Sequence, residues 1–200
     1  MWSSLTDSHN RARLLAVSSP HCGVWLQALF VASCETRLEN EAIRVAIGLR
    51  LEVNLCEPHV FLLDIGGCQG LTRSILQAQR MLWRALSRAS IPSVRKPANL
   101  SRSDGRRPDG LRLIPWRGGK YLTWDVTVAD TLAATYLVSA RTTAGSVAEE
   151  AASRKDNKYS AIAQSHVFVP LAIETLGQIN FKGLRFLSEM GGRSLNCCQR

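Results

Sequence analysis

Two hundred residues with 46% hydrophobic side chains suffice for one packed core with a small helical extension, and are too few for two independent enzymes. No stretch approaches the roughly 18 uninterrupted apolar residues of a membrane span. Met1 to Arg13 carries Asp7, His9, Asn10 and two arginines where a signal peptide needs an apolar run, so an intracellular protein without membrane attachment is expected. The net charge of +9 is concentrated: Leu71 to Lys120 holds twelve Lys/Arg and two Asp/Glu, an excess of +10, which leaves 13 basic against 14 acidic residues elsewhere.

From Arg11 to Arg50 the pattern is helical, with Leu38, Ala42, Val45, Ala46 and Leu49 recurring at intervals of three and four. Residues 1–55 therefore read as a helical N-terminal region. Residues 56–70, with Pro58 and Gly66-Gly67, read as an irregular boundary. Leu71 to Ala89 sets Ile75, Leu82, Leu86 and Ala89 on one helical stripe and Arg80, Arg84 and Arg88 on another, so one face can pack while the other meets phosphates. Ile91 to Arg107, with Pro92, Pro97, several serines and arginines, has the composition of a basic linker.

Two strand-like runs follow, Gly110 to Trp116 and Tyr121 to Asp130, joined at Gly118-Gly119, a pair suited to a tight hairpin turn. Ser146 to Gln164 is rich in Ala, Glu and Lys and lacks proline and glycine, which predicts a helix with Ser146 as N-cap. His166 to Thr175 is strand-like, Phe181 to Met190 a closing helix, and 191–200 an irregular tail. The fold class expected is α+β (α/β), with a core over 71–190 ordered helix, β-hairpin, helix, strand, helix.

The basic block suits a polyanion, since each Lys or Arg that neutralises a phosphate releases counterion; the plainer alternative is a solvated basic face. Six cysteines, Cys22, Cys34, Cys56, Cys68, Cys197 and Cys198, contain no CxxC pair and imply no disulfide. His21 and His166 sit at the edges of apolar runs without a triad partner in motif spacing, and no catalysis is expected of them.

Asp125 is the one charge in the middle of its β-favouring run, and Asp109 begins the adjoining one. Two carboxylates on neighbouring strands can hold Mg²⁺, which suits hydrolysis of a phosphodiester. A two-residue turn at Gly118-Gly119, however, pairs Arg117 with Lys120, Arg112 with Asp125 and Asp109 with Val128 on the wrong face, unless a bulge or twist at Gly110 brings Asp109 round. The alternative is an Asp125–Arg112 ion pair and an ordinary turn aspartate at 109.

Arg107-Pro108-Asp109-Gly110, Leu122-Thr123-Trp124-Asp125-Val126-Thr127 and Lys158-Tyr159 together resemble the restriction-like endonuclease domain, of PD-(D/E)xK type, at the C-terminal end of the polyprotein of site-specific non-LTR retrotransposons. The resemblance runs from about Arg11 to Arg193, most closely from Arg106 to Asp130. It implies nicking of target DNA, so that the new 3′ end primes reverse transcription, and a nuclear location. Asp109 corresponds to the aspartate of the PD element and Asp125 to the acidic residue of the second strand, both holding Mg²⁺ or Mn²⁺. Thr127 stands where the lysine usually follows, and the resemblance gives that role to Lys158; the alternative for Lys158 is a solvated lysine beside Asp156.

The family's helix glutamate is represented only by Gln77 and Gln79, and its zinc knuckle by Cys56, His59 and Cys68, a degenerate set one ligand short that is not expected to bind zinc. No Tyr-x-Asp-Asp sequence of a reverse transcriptase is present. The residues expected on phosphates are Arg80, Arg84, Arg88, Arg106 and Arg107, with DNA as partner, RNA as a second candidate, and no membrane or small-molecule substrate. Two further readings stay open: a nucleic-acid-binding remnant that does not cut, and a decayed product without function.

Overall fold

The computed structural model of the chain describes residues 7–20, 22, 68–88, 90–100 and 105–197. In chain order the elements are α1 (Ser8–Ser18), α2 (Cys68–Arg88), β1 (Ser93–Arg95), β2 (Gly110–Arg112), β3 (Leu122–Ala129), α3 (Leu137–Ala140), α4 (Ser146–Lys158), α5 (Ser160–Ser165), β4 (Val167–Glu174) and α6 (Phe181–Cys197), with a 3₁₀ turn at Ala98–Leu100. The class is α+β, with a four-stranded mixed sheet in the order β1-β2-β3-β4. No described helix is long and apolar enough to cross a membrane.

The chain divides into two compact units. One groups Met1–Leu71, Asp130–Val147 and Glu174–Gln178; the other holds Thr72–Ala129, Ala148–Ile173 and Ile179–Arg200. Within that first unit Asp7 caps α1, its carboxylate accepting from the His9 N–H at 3.0 Å. Thr131 donates to the buried Glu174 at 3.1 Å, and the Gln178 amide donates to the Ala16 carbonyl and, at 3.0 Å, to Ser19 Oγ. The helical repeat expected over Leu38 to Leu49 lies outside the described residues, as do Cys56 and His59.

In the second unit α2 behaves as its two stripes dictate: Leu82 and Leu86 are buried while Arg80 and Arg84 are exposed. It begins three residues earlier than expected, at Cys68, so 68–70 are helical rather than irregular. Beyond its last residue, Arg88, Ser90 lies in the left-handed region (φ 52°), which lets the Ile91 N–H reach back to the Leu86 carbonyl at 2.9 Å. Leu82, Leu86 and Ile91 then join Leu122, Trp124 and Val126 of β3, Leu171 of β4 and Phe186 and Met190 of α6 in one core. Burying side chains of this size contributes roughly 1.5–3 kcal/mol each.

The basic linker is not all loop. Ser93–Arg95 pairs antiparallel with β2, Ser93 opposite Arg112 and Arg95 opposite Gly110. A three-residue edge strand needs backbone groups only, so its Pro- and Ser-rich composition gave no periodicity to read. β4 starts level with β3, the Val167 N–H donating to the Tyr121 carbonyl at 2.8 Å, and α4 and α5 form the long connection that strands running the same way require.

Three expected helix features differ. The run Ser146 to Gln164 is interrupted at Tyr159, and the Ser146 hydroxyl is buried without a hydrogen-bond partner instead of capping α4. The expected tail is helical as far as Cys197: each residue added to an existing helix gains a hydrogen bond without a new nucleus, which offsets the cost of Gly191 and Gly192.

Gly110 is fixed by close approach: a Cβ there would lie 2.1 Å from the nearest atom of the Trp124 ring. Gly110→Ala is expected to destabilise the protein by about 3 kcal/mol, because a well-packed ring cannot yield. A lower denaturant midpoint with an unchanged m-value would register it.

Candidate active site

Both glycines of the hairpin turn have positive φ, 55° at Gly118 and 75° at Gly119, and Arg117 bridges Lys120 as the sequence predicts. That register does not continue. The β2–β3 ladder pairs Gly110 with Trp124 and Leu111 with Thr123. Between this ladder and the Arg117–Lys120 bridge lie five residues on one side, 112–116, and two on the other, 121–122, so the first arm carries three extra.

The physical causes are local. Leu113 spends its N–H on the Pro92 carbonyl at 2.9 Å, on the β1 side, and Pro115 has no N–H to give. Arg112 turns into the swelling, its guanidinium 4.8 Å from the Trp116 ring centroid and donating to the Pro115 carbonyl at 3.4 Å. The expected Arg112–Asp125 pair is thereby replaced.

Shifted by three, Asp109 falls level with Asp125 rather than with Val128. Its N–H donates to the Trp124 carbonyl at 3.0 Å, and its Oδ2 accepts from the Val126 N–H at 2.8 Å. The displacement needed to bring Asp109 onto the Asp125 face sits at 113–116 and not at Gly110.

Asp125 is 4% exposed. Its Oδ2 is ion-paired with the Lys155 ammonium, and its Oδ1 accepts from the Tyr159 hydroxyl at 3.1 Å, which also lies 3.1 Å from the Arg107 carbonyl. Lys155 and Tyr159 stand four residues apart, one turn of helix, and so reach the same point. The ammonium on Asp125 is therefore that of Lys155, one turn before the expected Lys158. Lys158 instead lies over the Tyr159 ring, 4.7 Å from its centroid, while Asp156 pairs with Lys182 at 2.6 Å.

Burial and the neighbouring Asp125 carboxylate hold the Asp109 carboxyl above its ordinary value of 3.8, against the opposing effects of the Val126 N–H, the Gln79 side chain and Lys155. Gln79 on α2 thus meets Asp109 where the resemblance would place a glutamate. Thr127, two residues after Asp125, is half-buried and brings no charge. Among the described residues no group of three or more His, Cys, Asp or Glu converges.

Of the residues expected on phosphates, Arg80 and Arg84 are exposed on α2, and Arg106 and Arg107 are exposed beside Asp109. Arg107 donates to the Lys96 carbonyl at 3.3 Å. Arg88 ends α2 and Cys68 begins it, but their side chains, like Cys56, His59 and His21, lie outside the described residues. His166 is held below the ordinary imidazole value by burial and contacts Ser165 Oγ at 2.8 Å, and among the described residues no carboxylate pairs with it to complete a relay. Sequence reasoning missed Lys155, Tyr159 and the meeting of Gln79 with Asp109. The i,i+4 spacing of Lys155 and Tyr159 was a usable signal for the first two.

Compared with protein-family profiles and with curated proteins, the chain matches none.

Proposed function

We propose that the chain is a divalent-cation-dependent DNA endonuclease domain of the kind carried by non-LTR retrotransposons, which nicks target DNA to expose a priming 3′ end. The observation that carries this reading is the level placement of Asp109, just before β2, with Asp125 of β3, and the Lys155 ammonium on Asp125. Two neighbouring carboxylates, one kept above its usual pKa by burial and then by the other's charge, fit a cation that would relieve their repulsion. Mg²⁺ uses one or two carboxylates and keeps several waters, so Asp109 and Asp125 suffice as its protein ligands; Mn²⁺ accepts the same donors. When bound, such a cation would polarise the phosphodiester and ease deprotonation of the attacking water.

The chain's own groups supply the rest. Asp109 and Asp125 orient the water, Tyr159 holds Asp125 in place, and Lys155 offsets the negative charge that grows on the phosphoryl oxygens. As the water oxygen bonds to phosphorus, the P–O3′ bond breaks; the attacking water loses a proton to solvent and the departing O3′ takes one from solvent, leaving a 5′-phosphate and a 3′-hydroxyl. Arg80, Arg84, Arg88, Arg106 and Arg107 attract the strand by charge.

Supercoiled plasmid incubated with the full chain and Mg²⁺ or Mn²⁺ is expected to become open circles, and Asp125→Ala to stop this. Equal nicking by that variant would exclude the reading. A second reading, DNA binding without cleavage, draws support from the partners both carboxylates already have, Lys155 on Asp125 and Gln79 on Asp109. It expects salt-sensitive binding, undiminished by Asp125→Ala, and no nicks.

A further inference from the structure

A cavity of about 310 Å³ opens beside Asp109, and its wall includes Gln79, Arg80 and Trp83 of α2, Arg95 at the end of β1, and Lys96. Three cations against one carboxylate make it a site for an anion. None of Arg80, Arg95 or Lys96 is in an ion pair with another described residue. The Arg95 guanidinium lies over the half-buried Trp83 ring, 4.6 Å from its centroid, which fixes the plane of its donor fork.

Lys96 is held in the left-handed region, φ 42°, a conformation costly for a residue with a side chain. What holds it is the site itself: its N–H donates to the Asp109 carbonyl at 3.0 Å and its carbonyl accepts from Arg107. The cationic rim and the carboxylate are thus tied together through the backbone.

The cavity is too large for a phosphate alone, which has the bulk of a few waters at ~30 Å³ each. It reaches the lower end of the range, roughly 300–1,000 Å³, in which sites hold small organic molecules. Trp83, Trp124 and Leu76 supply apolar wall. Phosphate donors on one side and indole on the other suit a nucleotide, and a base enters such a cavity only when it has left its stack.

We propose that this cavity takes one unstacked nucleotide of a DNA strand, next to the phosphate that Asp109 and Asp125 address. The position relative to the cut rests on the endonuclease reading; the preference for an unpaired nucleotide does not. It makes a locally unpaired strand, rather than continuous duplex, the substrate class.

The test is fluorescence anisotropy of a labelled oligothymidylate of about ten nucleotides, within single-strand site sizes, bound by the full chain in EDTA. Unlabelled duplex of equal length and inorganic phosphate serve as competitors. The single strand is expected to bind about tenfold more tightly than duplex, as loss or gain of one stacked base allows. Arg95→Gln and Lys96→Gln, both at exposed positions, are expected to bring that ratio near one with unchanged thermal midpoints. A purely electrostatic role would weaken both DNA forms equally and leave the ratio, which would overturn the proposal. Duplex binding as tight as single strand, or displacement by millimolar phosphate alone, would also overturn it. A chain that prefers single strands but makes no nicks would refute only the endonuclease reading; one that nicks without the preference would refute only this one.

Discussion

Lys155→Ala is expected to reduce nicking by about 10²–10³-fold, the usual loss when one preorganised charge is taken from a phosphoryl-transfer or acyl-transfer site. Lys158→Ala is expected to keep most of the activity, since the Lys158 ammonium stands over the Tyr159 ring rather than on Asp125. A plasmid time course with both variants separates the two lysines. Stability separates them as well. Removing Lys155 leaves an Asp125 carboxylate that is 4% exposed without its ion-pair partner, which costs about 3–5 kcal/mol. Lys155→Arg, which keeps the charge, is expected to recover much of the thermal midpoint. If Lys155→Ala lost stability and Lys158→Ala alone lost activity, the assignment of the catalytic lysine would fall to Lys158.

Asp109→Asn is expected to do the opposite, removing activity while raising stability at neutral pH. Asp109 is held above 3.8 in the fold, first by burial and then by Asp125, so the native state binds its proton more tightly than the unfolded chain does. With more protons bound in the native state, stability falls as pH rises. The penalty is absent below 3.8, grows as pH climbs through the raised native value, and stays constant above it. Asn carries no such penalty, so the difference between variant and wild type in thermal midpoint should widen from acid to neutral pH and then level off. Mg²⁺ at ten times its dissociation constant should stabilise the wild type by ~1.4 kcal/mol. That corresponds to roughly 3–5 °C for a chain of this size, and Asp109→Asn should not respond. A Mg²⁺ response retained by Asp109→Asn would remove Asp109 from the cation site.

The parts of this site that were legible in the sequence are those set by short-range rules. Gly118-Gly119 announced the turn because two successive positive φ angles favour glycine, and the stripes of α2 announced which side of that helix packs. The carboxylate partners were not legible, because they depend on where neighbouring elements spend their hydrogen bonds. Counting from the turn puts Arg112 opposite Asp125; the observed register follows from Leu113 bonding to Pro92 and Arg112 folding under Trp116. Tyr159 interrupts a run with no glycine or proline, and its hydroxyl is engaged by Asp125 and Arg107, contacts made across 34 and 52 residues of chain. Resemblance pointed to the Lys-Tyr pair and hence to Lys158, whereas helix geometry selects the lysine four residues before the tyrosine.

The three extra residues in the first arm of the hairpin divide it mechanically. The turn is pinned at Arg117–Lys120 and the carboxylate end at Gly110–Trp124, with 113–116 as slack between them. Within it the exposed side chains of Leu113 and Ile114 can change chemistry under engineering while the two aspartates keep their alignment, because the Leu113 contact with Pro92 is made by the backbone.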